Sequence, residues 1–196
     1  MSQQKKQWGA IIVMIALFAM IAFVTNLCTP MATIIKNQPG GVSNVLAQIG
    51  NYGNFIAYLL MGIPSGMLIA KYGYKKTALI GLIVGIIGIG IQWLSGQMDA
   101  AENLGLVFGV YLVGAFIAGL CMCILNCVVN PMLNLLGGGG NKGNQLIQIG
   151  GVFNSSAAVA CYILMGALIA DMSKAKISDA TPALMIALAI FVIAFV

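Results

Sequence analysis

The chain contains no histidine, and only four of its 196 residues are acidic. Without an imidazole the usual general base is missing, which sets aside intramembrane hydrolases of the Ser-His kind, and the chain does not read as an enzyme. Charge of either sign is scarce, at 7% of residues with a net of +5. The lysines sit in short connections rather than in a cluster interleaved with aromatics, so nucleic acid is not an expected partner and the basic balance reads as membrane topology. The acids Asp99, Glu102, Asp171 and Asp179 all fall outside the long apolar runs. The five cysteines (Cys28, Cys121, Cys123, Cys127, Cys161) do the opposite and lie inside them. A thiol there packs as a small hydrophobe and not as half of a disulfide. Cys121 and Cys123 point to nearly opposite helical faces, so no metal site and no cofactor is expected.

What remains is grease and glycine: 61% hydrophobic residues, 25 glycines and a mean hydropathy of +1.02. The apolar runs are continuous and far too long for barrel strands, so the fold class is an all-α polytopic membrane protein. Residues 1–7 form a polar tail with Lys5 and Lys6 and no cleavage pattern, expected to stay cytoplasmic. Six spans are expected at about 8–35, 44–70, 77–94, 104–136, 144–170 and 182–196, all within one domain, 8–196. Turn-forming residues separate them at Asn37-Gln38-Pro39-Gly40-Gly41, at a lysine-rich turn near Gly73, and at Gly137–Gly143, which is expected to be a flexible connection. With the N-terminus inside, Lys5, Lys6, Lys71, Lys75, Lys76 and Lys142 are cytoplasmic, and Lys36, Lys174 and Lys176 lie on the other side. That excess gives the orientation.

Polar side chains inside such runs are costly unless they meet a partner or a wet interior. The fourth run holds Asn126, Asn130, Pro131 and Asn134, with Asn126 and Asn130 four apart on one helical face. The first run ends in Asn26, Thr29 and Thr33 on one narrow arc. The second carries Asn44, Gln48, Asn51, Phe55, Tyr58 and Gly62 on a stripe expected to face the bundle interior. Amides mixed with aromatic rings suit the hydroxyl rim and apolar face of a sugar. The fifth run opens with Gln145 and Gln148 and continues to Asn154, whose face points toward a neighbouring helix. The candidate substrate residues are therefore Asn126, Asn130, Gln48, Asn51, Asn26, Thr29, Tyr58, Gln148 and Asn154. The third and sixth runs are nearly pure aliphatic and glycine, with Gly81 and Gly85 placed for close packing and Gly105 and Gly109 offering the same in the fourth. Four cavity-lining and two outer helices follow.

The turn Gly66-Met67-Leu68-Ile69-Ala70-Lys71-Tyr72-Gly73-Tyr74-Lys75 resembles the cytoplasmic loop motif of the major facilitator superfamily, with Ala70 where most members carry Asp. Gly66, Lys71, Gly73 and Lys75 are its candidate gating residues. Lys-x-Gly-Tyr-Lys, Asn130-Pro131 followed by Leu135-Leu136-Gly137, and Phe153-Asn154-Ser155 together are similar to the fucose-galactose-glucose:proton symporter branch, typified by fucose permease. The resemblance implies alternating access around a neutral monosaccharide-like solute held between two six-helix halves, of which this chain is the N-terminal one, in a bacterial inner membrane. It also implies two proton-coupling acids, at the positions occupied here by Asn126 and Thr29, neither of which titrates near neutrality. A secondary active transporter or facilitator is the expected function. A water or solute channel, which would want two Asn-Pro-Ala boxes where this chain has one Asn-Pro, and a non-transporting scaffold are the alternatives.

Overall fold

Long apolar runs in a medium without water must bond every backbone group internally, and the chain answers with helices. The structure, a computed structural model, describes residues 8–38, 43–98, 100–169, 174–175 and 177–195, with the backbone alone at 100–102 and 177. The expected tail at 1–7, most of the Asn37–Gly41 turn, Asp99 and Asp171 lie outside the described residues. The elements are α1 (Trp8–Lys36), α2 (Asn44–Ala47), α3 (Ile49–Gln97), α4 (Ala100–Leu136), α5 (Gly140–Leu168), a 3-10 turn (Ile177–Ala180) and α6 (Thr181–Phe195). Five of these helices are long and apolar enough to cross a membrane, where six spans were expected. The difference is α3, which takes in both the second and the third expected spans in 49 residues.

α3 is not one straight rod. Gly73 breaks it at φ 75° and ψ 169°, a conformation essentially reserved for glycine. The packing against α4 shows what the break does. Before it, Gly50 lies against Tyr111, Asn54 and Ala57 against Gly119, and Tyr58 against Asn126, so both helices ascend together. After it, Gly81 lies against Ile124 and Leu125 and Gly88 against Ala118 and Gly114, so α3 now descends along α4. The chain reverses at Gly73, with Lys71, Lys75 and Lys76 exposed around the bend and the Lys71 ammonium 5.2 Å from the Tyr72 ring centroid.

α4 is the hub, packed between both limbs of α3 and also touching α1 and α5. Its register is set by glycine. A Cβ on Gly88 would stand 2.6 Å from the Ala118 backbone nitrogen, and one on Gly119 would stand 2.7 Å from Asn54 Oδ1. The core runs along α4 through Tyr111, Met122, Leu125, Val129 and Leu133, and Phe191 of α6 closes it from the side. Gly105 and Gly109, by contrast, permit no close helix approach: Gly109 has nothing within 4 Å, and the nearest atom to a Cβ on Gly105 is the side chain of Asn103. They instead line a shallow groove with Ile91 and Val113.

The glycine-rich connection is shorter than its composition suggests. Only Gly137–Gly139 lie between helices, because positive φ at Gly138, Gly139 and Gly140 turns the chain at once, and Gly139 N–H bonds back to the Asn134 carbonyl at 2.9 Å. Residues 141–143 are already helical. Asn134 Nδ2 then donates to Asn144 Oδ1 at 3.0 Å, tying the two helix ends. At the other end of α4, Asn103 at φ −153° is the effective N-cap, its Oδ1 accepting from Leu106 N–H at 3.0 Å. Four of the five cysteines are buried and Cys127 is half-buried, all as free thiols.

Candidate functional site

The site grows from two prolines. Pro30 withholds the N–H that would bond to the Asn26 carbonyl, and Pro131 does the same for Cys127, so α1 and α4 are loosened where their amides lie. Across this level the side chains of four helices meet. Tyr162 on α5 donates its hydroxyl to Asn26 Oδ1 on α1 at 3.1 Å, and Asn26 Nδ2 donates to the Ala22 carbonyl at 2.8 Å. Next to Asn26 in sequence, Thr25 donates to the Ile21 carbonyl at 2.8 Å and lies beside the Tyr58 hydroxyl of α3. Tyr58 in turn receives Asn126 Nδ2 of α4 at 2.8 Å. One turn on, Asn130 Nδ2 donates to the Asn126 carbonyl at 3.1 Å. The result is a polar ladder in two hydrogen-bonded parts, α5 to α1 through Tyr162 and Asn26 and α3 to α4 through Tyr58 and Asn126, every rung half-buried except Tyr162, which is 44% exposed.

The other expected residues fall around this ladder at different depths. Thr29, one turn beyond Thr25 on α1, is exposed and extends the same face. Gln48 and Asn51 bond to each other, and Asn51 lies seven residues from Tyr58, about 10 Å along the helix at 1.5 Å per residue. Gln148 is exposed near the start of α5, fourteen residues and about 21 Å before Tyr162. Asn154 Nδ2 donates to the Phe18 carbonyl at 2.7 Å, which fastens α5 to α1 one turn from the close contact of Gly150 with Phe18.

Two expectations change. The α3 stripe of Gln48, Asn51, Phe55 and Tyr58 runs along the margin of the bundle, with Tyr58 half-buried against Asn126 and Gln48 and Asn51 partly exposed. The buried face is offset from it and runs through Gly50, Asn54, Ala57 and Ser65, while Phe55 is 71% exposed. Sequence reasoning therefore missed Asn54, whose Nδ2 meets Cys28 Sγ at 3.1 Å, as well as Thr25 and Tyr162. Tyr162 lies eight residues after Asn154, two turns along α5, and that spacing was the available signal.

The second change concerns the chamber. An apolar cavity of about 690 Å³ lies between α1, the second limb of α3, α4 and α6, walled by Met14, Leu17, Tyr74, Ala78, Val128 and Ile193. None of the expected amides lines it. They occupy an open face instead, bordered by the exposed apolar side chains of the first limb of α3 and of α5, among them Leu59, Ile63, Val159 and Ile163.

The chain is similar in sequence to curated sugar transporters. It is 28% identical to the glucose/galactose transporter of Brucella abortus over an alignment of 203 positions that covers all of this chain and 47% of that protein. It is 25% identical to the L-fucose-proton symporter of Haemophilus influenzae over 136 positions, 68% of this chain and 29% of that one. The Escherichia coli L-fucose-proton symporter is 28% identical over 115 positions, covering 59% and 24%. Homologues named glucose/galactose transporter and L-fucose-proton symporter support a fucose-permease-like N-terminal half of the major facilitator superfamily. The chain matches the N-terminal part of these fucose-permease-like proteins and spans about half the length of the curated relatives it matches end to end. Those relatives are transporters, not enzymes. No family model matches the chain, and no solved structure does.

Proposed function

We propose that this chain is the N-terminal six-helix half of a secondary transporter that moves a neutral monosaccharide by alternating access. The observation that carries the reading is the polar ladder of Tyr162 with Asn26 and of Tyr58 with Asn126 and Asn130, because four helices spend amides and hydroxyls within an otherwise apolar bundle. Uncharged donors and acceptors suit a polyhydroxylated, uncharged ligand better than an ion. The relatives named for glucose, galactose and fucose point the same way. Counting the two limbs of α3 separately supports six spans; in this reading the N-terminus is inside, Lys71, Gly73 and Lys75 form a cytoplasmic gating bend, and Gly66 lies two turns before it in the first limb.

In this reading Asn126, Asn130, Asn26, Thr29 and Tyr58 hold the sugar at mid-membrane. Gln48 and Asn51 guard the outer approach and Gln148 the inner one, while Asn154 steadies α5 against α1 at the edge of the site. The open face and its apolar border await a second six-helix half, which closes the chamber and can bring acids that the apolar runs of this half lack. The membrane is the inner membrane of a bacterium. The test is counterflow of labelled monosaccharides in proteoliposomes containing the product of the complete reading frame. Exchange of at least one neutral hexose or deoxyhexose is expected, and exchange of none would overturn the proposal.

A further inference from the structure

The apolar cavity of about 690 Å³ has no part in the sugar reading, since neither the amides nor the apolar border of the open face lines it. Its floor is buried, at Leu17, Leu82 and Val128, and its rim is exposed, at Val13, Lys75 and Ile193. Two lining residues carry polar side chains, Tyr74 and Lys75, and both lie within two residues of the Gly73 bend. The rest of the wall is aliphatic, Met or Phe. Along α1 the lining extends from Ala10 to Met20, ten residues and about 15 Å at 1.5 Å per residue. That is half of a hydrocarbon core of about 30 Å, the depth of a single leaflet. The end of the cavity marked by Lys75 is also the end at which α1 begins, with Trp8 exposed as interfacial tryptophans are.

A void of this size with an apolar floor forfeits contacts along its whole wall unless something apolar enters it. A sugar would find almost none of the hydrogen-bond partners it needs there, and the polar residues before α1 are unsuited to fill it. Charge narrows the choice further. Lys71, Lys75 and Lys76 are exposed around the bend, Lys5 and Lys6 closely precede α1 in sequence, and no acidic residue precedes Asp99. The occupant is therefore apolar for the depth of one leaflet and negative at its end. We propose that the cavity is a binding site for an anionic phospholipid, one acyl chain lying between α1, the second limb of α3, α4 and α6 and the phosphate held by Lys75. Lysine serves phosphate as a point charge, and basic pockets between membrane helices are suited to such headgroups. The site is separate from the amide ladder and requires no sugar.

The experiment titrates the delipidated product of the complete reading frame, in detergent, with phosphatidylglycerol and with phosphatidylcholine of the same chains, reading retained lipid by native mass spectrometry and stability by the melting midpoint. Wild type should retain phosphatidylglycerol about fivefold more tightly than phosphatidylcholine, the effect of one lysine near a headgroup. Phosphatidylglycerol should raise the midpoint, and glycerol phosphate, which has the charge without the chains, should not. Lys75→Ala should reduce phosphatidylglycerol retention to that of phosphatidylcholine. Lys142→Ala removes the same charge from an exposed residue at the start of α5 that does not line the cavity, and should leave the preference intact. Filling the cavity from two half-buried wall positions, with Ala10→Phe and Ala194→Phe together, should weaken both lipids. Equal retention of the two lipids by wild type, or equal losses in Lys75→Ala and Lys142→Ala, would overturn the proposal. Both lysines are exposed, so that comparison does not depend on whether the filled variant folds. Sugar counterflow is a separate measurement, and its failure would leave the lipid site standing.

Discussion

Adding one methyl group at Gly88 should loosen the whole bundle, because the two helices that cross there meet backbone to backbone. The Cβ of Gly88→Ala would lie 2.6 Å from the Ala118 nitrogen, 3.0 Å from the Ala118 Cα and 3.1 Å from the Gly114 carbonyl oxygen. Ordinary contact begins at 3.4 Å, so the second limb of α3 and α4 must separate by about 0.8 Å along this line. None of the obstructing atoms belongs to a flexible side chain that could swing away. Overpacking of this kind costs about 1–3 kcal/mol, partly offset by the roughly 1 kcal/mol by which alanine favours a helix over glycine. Gly114→Ala repeats the clash from the other side, its Cβ standing 2.8 Å from both the Gln92 nitrogen and the Gly88 carbonyl oxygen. Gly90 and Gly109 sit in the same two helices with nothing within 4 Å. Alanine there keeps the propensity gain without the clash. In detergent, measured by thiol-reactive dye or tryptophan fluorescence, Gly88→Ala and Gly114→Ala should melt several degrees below wild type, and Gly90→Ala and Gly109→Ala at or above it. Four equal midpoints would refute the idea that α3 and α4 are held by this crossing.

At the reversal, Gly73→Ala forces a side chain into φ 75°, ψ 169° with no local compensation, at a cost of about 1–3 kcal/mol; a lowered melting temperature and reduced uptake are expected, and wild-type values in both would show that the bend tolerates any residue. Asn126→Ala removes the amide and leaves Tyr58 without its donor, so sugar affinity should fall about tenfold, and undiminished affinity would dismiss the ladder as a binding surface. Asn154→Leu cuts the 2.7 Å tie to Phe18 and should lower the melting temperature by the worth of about 1 kcal/mol before it touches sugar affinity; weaker binding with an unchanged midpoint would give Asn154 to the ligand instead.

Much of the candidate site was legible because amides are rare and costly in such helices. Asn126, Asn130, Asn26 and Tyr58 stand out by type alone, and the structure brings them to one level. Thr25 did not stand out, since a threonine can return its hydroxyl to the preceding turn and vanish into the helix, as this one does with Ile21. The α3 stripe failed for a related reason. In a soluble protein the polar stripe marks the outside and the apolar stripe the core, whereas in a membrane both surroundings are apolar and the pattern carries no such sign. Packing chose Gly50, Asn54 and Ala57 for the contact with α4 because small residues allow approach, and the amides and Phe55 were left on the open face.

By itself the sequence determined that these residues form helices within a membrane, since nothing else satisfies the backbone of runs this apolar. It also determined where the chain must turn, because glycine at 73 and at 138–140 is what permits the backbone angles found there. Only the tertiary structure decided which limb of α3 lies on which flank of α4 and which amide meets which hydroxyl. Those outcomes follow from distances between helices, set by where glycine lets two backbones touch, and such distances are properties of pairs that no single run of residues contains.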